Sequence, residues 1–112
     1  MSSFDATMRM MRRNNPQTQE AGFRLLLARA GDHIDALLGE FATEQDPGLR
    51  CRLLELIGAA ESPKALPDLL AQLDSPDEAL RRWAARGLSG LGTREARTAL
   101  WRARANSSGH RP

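Results

Sequence analysis

The chain has 112 residues, enough for one domain with a modest core, and its lack of Tyr and Val, with only Ile34 and Ile57 as isoleucines, disfavours a sheet. One cysteine excludes an intramolecular disulfide and a cysteine-built metal site, and no apolar run is long enough for a membrane span, so a soluble cytoplasmic protein is expected. Net charge is only +2, but residues 14–78 carry five basic and twelve acidic side chains, whereas residues 79–112 carry eight Arg against the single Glu95.

Residues 3–14 read as an opening helix with Phe4, Met8 and Met11 on one face and Arg9, Arg12 and Arg13 on another. Its role is a cap over the apolar end of the first hairpin, or else a pliable Met-rich groove. Asn15-Pro16 is an N-cap and first-turn proline, and Phe23, Leu26, Leu27 and Ala30 then recur at helical spacing. Gly31 is expected to end that helix in the left-handed conformation, and Asp32 to cap a second helix carrying Ile34, Leu37, Leu38 and Phe41. His33 lies beside Asp32 and Asp35 with no second His or Cys near it, so it reads as a solvated or capping residue rather than a metal ligand.

Asp46-Pro47 opens the next helix, with Leu49, Leu53, Leu56, Ile57 and Ala60 on one face. Ser62-Pro63 starts its partner, striped with Ala65, Leu66, Leu69, Leu70 and Leu73. Cys51, between Arg50 and Arg52, is either a thiol acidified by cations or a small packing residue. A shift of 31 residues places Leu49, Leu53, Ile57, Ala60, Ala65 and Leu69 on Leu80, Ala84, Leu88, Leu91, Ala96 and Leu100, and Asp46 and Arg50 on Asp77 and Arg81. Two apolar-periodic blocks in a period of this length are the pattern of a helical-hairpin repeat.

Ser75-Pro76-Asp77-Glu78 reads as a capping box. Gly87 reads as a point of close helix approach, and Gly92-Thr93 ends one helix and caps the last, which turns Ala96, Ala99, Leu100 and Ala103 inward. The first hairpin fits the period only with offsets near 30 and 32 in its two helices, as a divergent repeat. Residues 106–112, NSSGHRP, are expected to be a disordered tail.

The expected fold is all-α, a short α-solenoid of about three helical hairpins (about 16–44, 46–74 and 76–105) behind a capping helix at 3–14, in one domain over 1–105. Asp46-Pro47, Leu49-Arg50 and Ala65-Leu66-Pro67-Asp68-Leu69-Leu70, with Asp77, Leu80-Arg81 and Gly90-Leu91-Gly92 one unit later, resemble the HEAT-like repeats named after phycobiliprotein lyases, a bacterial type of repeat protein. The resemblance covers residues 46–104 well and 16–45 loosely. It implies a right-handed superhelix of HEAT-like hairpins whose second helices line the concave surface that grips a protein partner.

No Ser-His-Asp or Cys-His pair, phosphate-cradling glycine loop, H-E-x-x-H or EF-hand motif occurs, so no cofactor, metal or catalytic residue is expected, and a non-enzymatic adaptor or scaffold is. The expected partner-binding residues are Asp35, Asp68, Gln72, Arg94, Arg97, Thr98, Trp101 and Arg102, with Glu40 and Lys64 on the same face. Trp101 aligns with Leu70, so it either covers the open end of the core or supplies an interface hot spot. The alternative is phosphate or nucleic-acid binding through Arg81, Arg82, Arg86 and Arg104, joined by Arg97 and Arg102, and confined to one end because the acidic middle repels a duplex. An accessory subunit of an enzyme such as a bilin lyase is a third expectation, from the namesake family. Opposite charges along the stack also suggest a homodimer.

Overall fold

Asn15, Asp46 and Asp77 set the phase of the structure. Each is an N-cap whose side-chain oxygen accepts from backbone N–H groups in the first turn of its helix, and they stand at a constant spacing of 31 residues. The first hairpin therefore starts in register with the other two, not at the offset of 30 expected for it.

The computed structural model describes residues 3–109. Helix α1 (Ser3–Arg12) is followed by α2 (Pro16–Ala28) and α3 (Ile34–Thr43), α4 (Pro47–Ala59) and α5 (Leu66–Gln72), then α6 (Glu78–Leu91) and α7 (Arg94–Gly109). Short 3-10 turns at Ala30–His33 and Pro63–Ala65 lead into α3 and α5, and no strand occurs among the described residues. The stack measures 48 × 28 × 21 Å. It is an all-α solenoid of three hairpins with α1 in front.

Helix α4 is the centre, because α3 and α6 pack on either side of it. Leu53, Leu54, Leu56 and Ile57 are all fully buried, where each such side chain contributes about 1.5–3 kcal/mol. Leu54 lay outside the expected stripe; a central helix is covered on two faces, and one-face periodicity misses the second. At the N-terminal end Phe4, Met8 and Met11 are buried, so α1 is a cap rather than an open groove. It approaches α2 at Gly22, where a Cβ would stand 3.0 Å from the Thr7 carbonyl.

The repeated Arg of the D-x-x-L-R start has a visible role. Arg50 Nη1 donates to the carbonyls of Phe41 and Glu44, both at 3.0 Å, satisfying the C-terminal end of α3. One unit later Arg81 Nη1 donates to Ser75 O at 2.7 Å, and one unit earlier Gln19 Nε2 donates to Arg13 O at 2.5 Å. In all three units this position ties the first helix to the end of the segment before it.

Several local expectations need correction. Gly31 is not left-handed and Asp32 does not cap α3, because the chain passes through the 3-10 turn and enters α3 with no side-chain cap. The left-handed positions are instead Glu61, at φ 49°, and Gly92, at φ 64°, which are equivalent in successive units. Ser75 and Glu78 form no reciprocal box: Asp77 caps α6, and Glu78 pairs with Arg82 at 3.1 Å. Leu27 is exposed, since α2 turns only Gly22, Phe23 and Leu26 inward. Helix α7 runs to Gly109, so the disordered tail does not begin at 106; each added residue gains a backbone bond, and nothing before Pro112 removes a donor. The remaining tail, including His110, lies outside the described residues.

Candidate partner-binding surface

The expected binding residues lie on the second helices α3, α5 and α7, but not all are equally available. Asp35, Arg94, Arg97, Thr98, Trp101 and Arg102 are exposed, whereas Asp68 and Gln72 are half-buried. Asp35 is held by Lys64, whose Nζ lies 3.2 and 3.1 Å from its two carboxylate oxygens, so this pair ties α3 to the start of the next second helix. Glu40 is half-buried and committed to Arg12, whose guanidinium also grips Glu44, each contact at 2.6 Å.

Trp101 does not cover the end of the core. It is 69% exposed, because α7 turns Ala96 fully inward and half-buries Ala99, Leu100 and Ala103, which leaves Trp101 on the outer flank. Arg97 beside it donates to Gly92 O at 2.7 Å, and among the described residues no carboxylate pairs within 4.0 Å with Arg94, Arg97 or Arg102. The α7 flank thus carries a water-facing indole with uncompensated guanidiniums.

The expected anion-binding set is brought together, on a different face. Arg81, Arg82, Arg86 and Arg104 surround a groove of about 510 Å³ between α6 and α7. Its floor is Leu73, Ala85, Leu100 and Ala103. Arg97 and Arg102 do not line it. Arg86 also lies 5.3 Å from the centre of the half-buried Trp83 ring.

Sequence reasoning missed a second hollow of about 320 Å³ on the first-helix side, lined by Leu27, Glu55, Trp83 and Arg86 among others. Burial pushes the Glu55 carboxyl above its ordinary range, and Glu20 adds to this while Arg52 and Arg86 oppose it. The stacking of Arg50 over Phe41 (4.1 Å) and Arg52 over Phe23 (4.2 Å) was also missed, because each Arg comes from the next repeat and no local spacing marks the pair. Cys51 is a packing residue against the core, and burial raises its thiol pKa, aided by Asp77 and opposed by Arg50. His33 tilts against Phe4 with ring centres 5.4 Å apart, and no metal-holding cluster of His, Cys, Asp and Glu occurs among the described residues. No helix among the described residues is long and apolar enough to cross a membrane.

A stack of three helical hairpins, each packed on the next, is a helical-repeat architecture. A model of the HEAT repeats matches residues 34–111, and the chain belongs to that family. The match spans α3 to α7 and is to HEAT repeats as a class; it does not single out the phycobiliprotein-lyase type. No curated protein and no solved structure gave a match. HEAT repeats are commonly protein-interaction modules.

Proposed function

We propose that the chain is a non-enzymatic interaction module that holds a protein partner on the outward face of its second helices, centred on α7. The observation that carries this is Trp101, 69% exposed with Arg97 and Arg102 beside it. A large apolar ring held in water next to Arg is the composition of an interface hot spot, where stacking and bidentate ion pairs supply the binding energy. Asp35 and Lys64 extend the face across the earlier repeats, while Asp68 and Gln72 contribute at its half-buried edge.

The test is affinity capture from a native lysate, split into nuclease-treated and untreated halves, with the wild-type chain and a Trp101→Ala/Arg97→Ala variant as baits. A protein retained by the wild type in both halves and lost with the variant supports the module. Retention that is equal for both baits removes α7 as the binding face. Retention that disappears with nuclease replaces a protein partner with nucleic acid.

A further inference from the structure

Helix α4 receives α6 along Cys51, Leu54, Glu55 and Gly58. Gly58 meets the Gly87 backbone, Leu54 is fully buried, and Cys51 and Glu55 feel the charges of Asp77 and Arg86 respectively. One repeat later the same positions on α6 are Arg82, Ala85, Arg86 and Ser89, and all four line the groove beside α7. The face that takes a helix in the middle of the stack is therefore present again at its C-terminal end, with a changed character. Its floor is small and apolar, and Arg81, Arg82, Arg86 and Arg104 stand around it. The one acidic lining residue, Glu78, is already paired with Arg82.

We infer that this groove docks an acidic amphipathic helix of a partner protein, with apolar side chains on the Leu100 and Ala85 floor and carboxylates against the arginines. The inference goes beyond the module proposed above, because the groove lies on a different face from Trp101, Arg97 and Arg102. Shape and charge select this occupant. The floor needs apolar side chains, which a phosphate backbone does not supply, and the rim sets four arginines against Glu78 alone, a positive excess that carboxylates offset. A second copy stacked end to end does not fit, because the opposite end of the stack is α1, whose apolar Phe4, Met8 and Met11 are already buried in the core and leave no apolar side chains for the floor.

The experiment titrates the isotope-labelled full chain with a synthetic helical peptide of about five turns, Leu at helical spacing on one face and Glu on both flanks. Three controls are used: a scrambled peptide of the same composition, a Lys-for-Glu version, and a short DNA duplex. Expected are amide shifts at Ala85, Ser89 and Ala103 without movement at Thr98 or Trp101. Affinity should fall roughly tenfold in an Arg82→Gln/Arg86→Gln/Arg104→Gln variant of unchanged circular dichroism, and fall similarly at high salt. Equal binding of the scrambled or Lys peptide overturns the inference, as does failure of the Glu peptide to bind at about 1 mM, the scale of negligible affinity. Tighter binding of the duplex at the same amides assigns the groove to nucleic acid instead. Shifts confined to the Trp101 flank overturn the docking groove but leave the module standing. The module falls separately, when capture is indifferent to the Trp101→Ala/Arg97→Ala variant.

Discussion

Gly58 and Gly87 meet where α4 crosses α6, so closely that a Cβ on either would stand 3.0 Å from the Cα of the other. This contact brings the second and third repeats together, and the missing side chains are what permit it. A Cβ on Gly87 would also lie 2.8 Å from Leu69 Cδ2, inside the core. Gly87→Ala gains about 1 kcal/mol of helix propensity but meets an overpacking cost of about 1–3 kcal/mol, so a net loss is expected. Gly39, in the middle of α3, has nothing within 4 Å of a built Cβ. Gly39→Ala should therefore stabilise by about 0.5–1 kcal/mol. Urea denaturation of the two variants reads the contrast in sign; equal shifts for both would mean that the helix crossing is not tight.

Arg12 joins the capping helix to α3 through Glu40 and Glu44. The Glu44 carboxyl is held below its usual pKa, first by the N–H of Asp46, then by the Arg12 guanidinium, with burial opposing. A carboxyl depressed in the folded state stabilises at neutral pH, and that contribution is lost as pH falls through the usual glutamate range towards the folded value. Stability of the wild type should therefore drop on acidification more steeply than that of Glu44→Gln. With Arg12 substantially exposed and screened, Arg12→Ala should cost about 0.5–1 kcal/mol at pH 7. Denaturation midpoints across the acid range test this, and parallel wild-type and Glu44→Gln profiles would remove Glu44 as the source.

The parts of this fold legible in the sequence are those fixed within one repeat. Asp46 with Pro47, the Leu53/Ile57 stripe and Gly92 at the end of α6 each depend on neighbours a few residues away. Contacts between repeats were not legible, because Arg12 to Glu40, Arg52 to Glu20 and Lys64 to Asp35 need the stacking geometry before either partner is in reach. Leu27 shows the same limit from the other side: its spacing is that of a buried residue, but α2 does not turn it towards α4. For the candidate surface, sequence reasoning put Trp101, Arg97 and Arg102 on one helix but left the orientation of Trp101 open. It also grouped six of the C-terminal arginines, which the structure divides between two faces of the end repeat.

Cys51 lies between two arginines yet is not activated by them. Burial raises its thiol pKa and Asp77 adds to the rise, outweighing Arg50. Reaction with a disulfide reagent near pH 8 should be at least roughly tenfold slower in the native chain than in the urea-unfolded chain, since both access and thiolate fraction are reduced. Native reactivity matching the unfolded rate would mean that the second and third repeats open readily around α4.

Arg50 does more for the fold than its repeat counterpart Arg81. It donates from one nitrogen to two carbonyls at the end of α3 and lies 4.1 Å over the Phe41 ring, half-buried, whereas Arg81 is exposed and reaches one carbonyl. Charge-assisted bonds to otherwise unpaired helix-end carbonyls contribute about 1.5–3 kcal/mol, and removing the side chain leaves those carbonyls without their donor. Arg50→Ala should therefore lower stability by about 2–3 kcal/mol, and Arg81→Ala by about 0.5–1 kcal/mol. Lysine carries the charge but not the planar group that stacks on Phe41 while donating, so Arg50→Lys should recover less than about half of the loss. Thermal melts give the order, with each kcal/mol worth about 4–8 °C in a domain of this size. Full recovery by lysine would reduce Arg50 to a simple countercharge for the α3 terminus, and the planar fit between repeats would have no energetic weight.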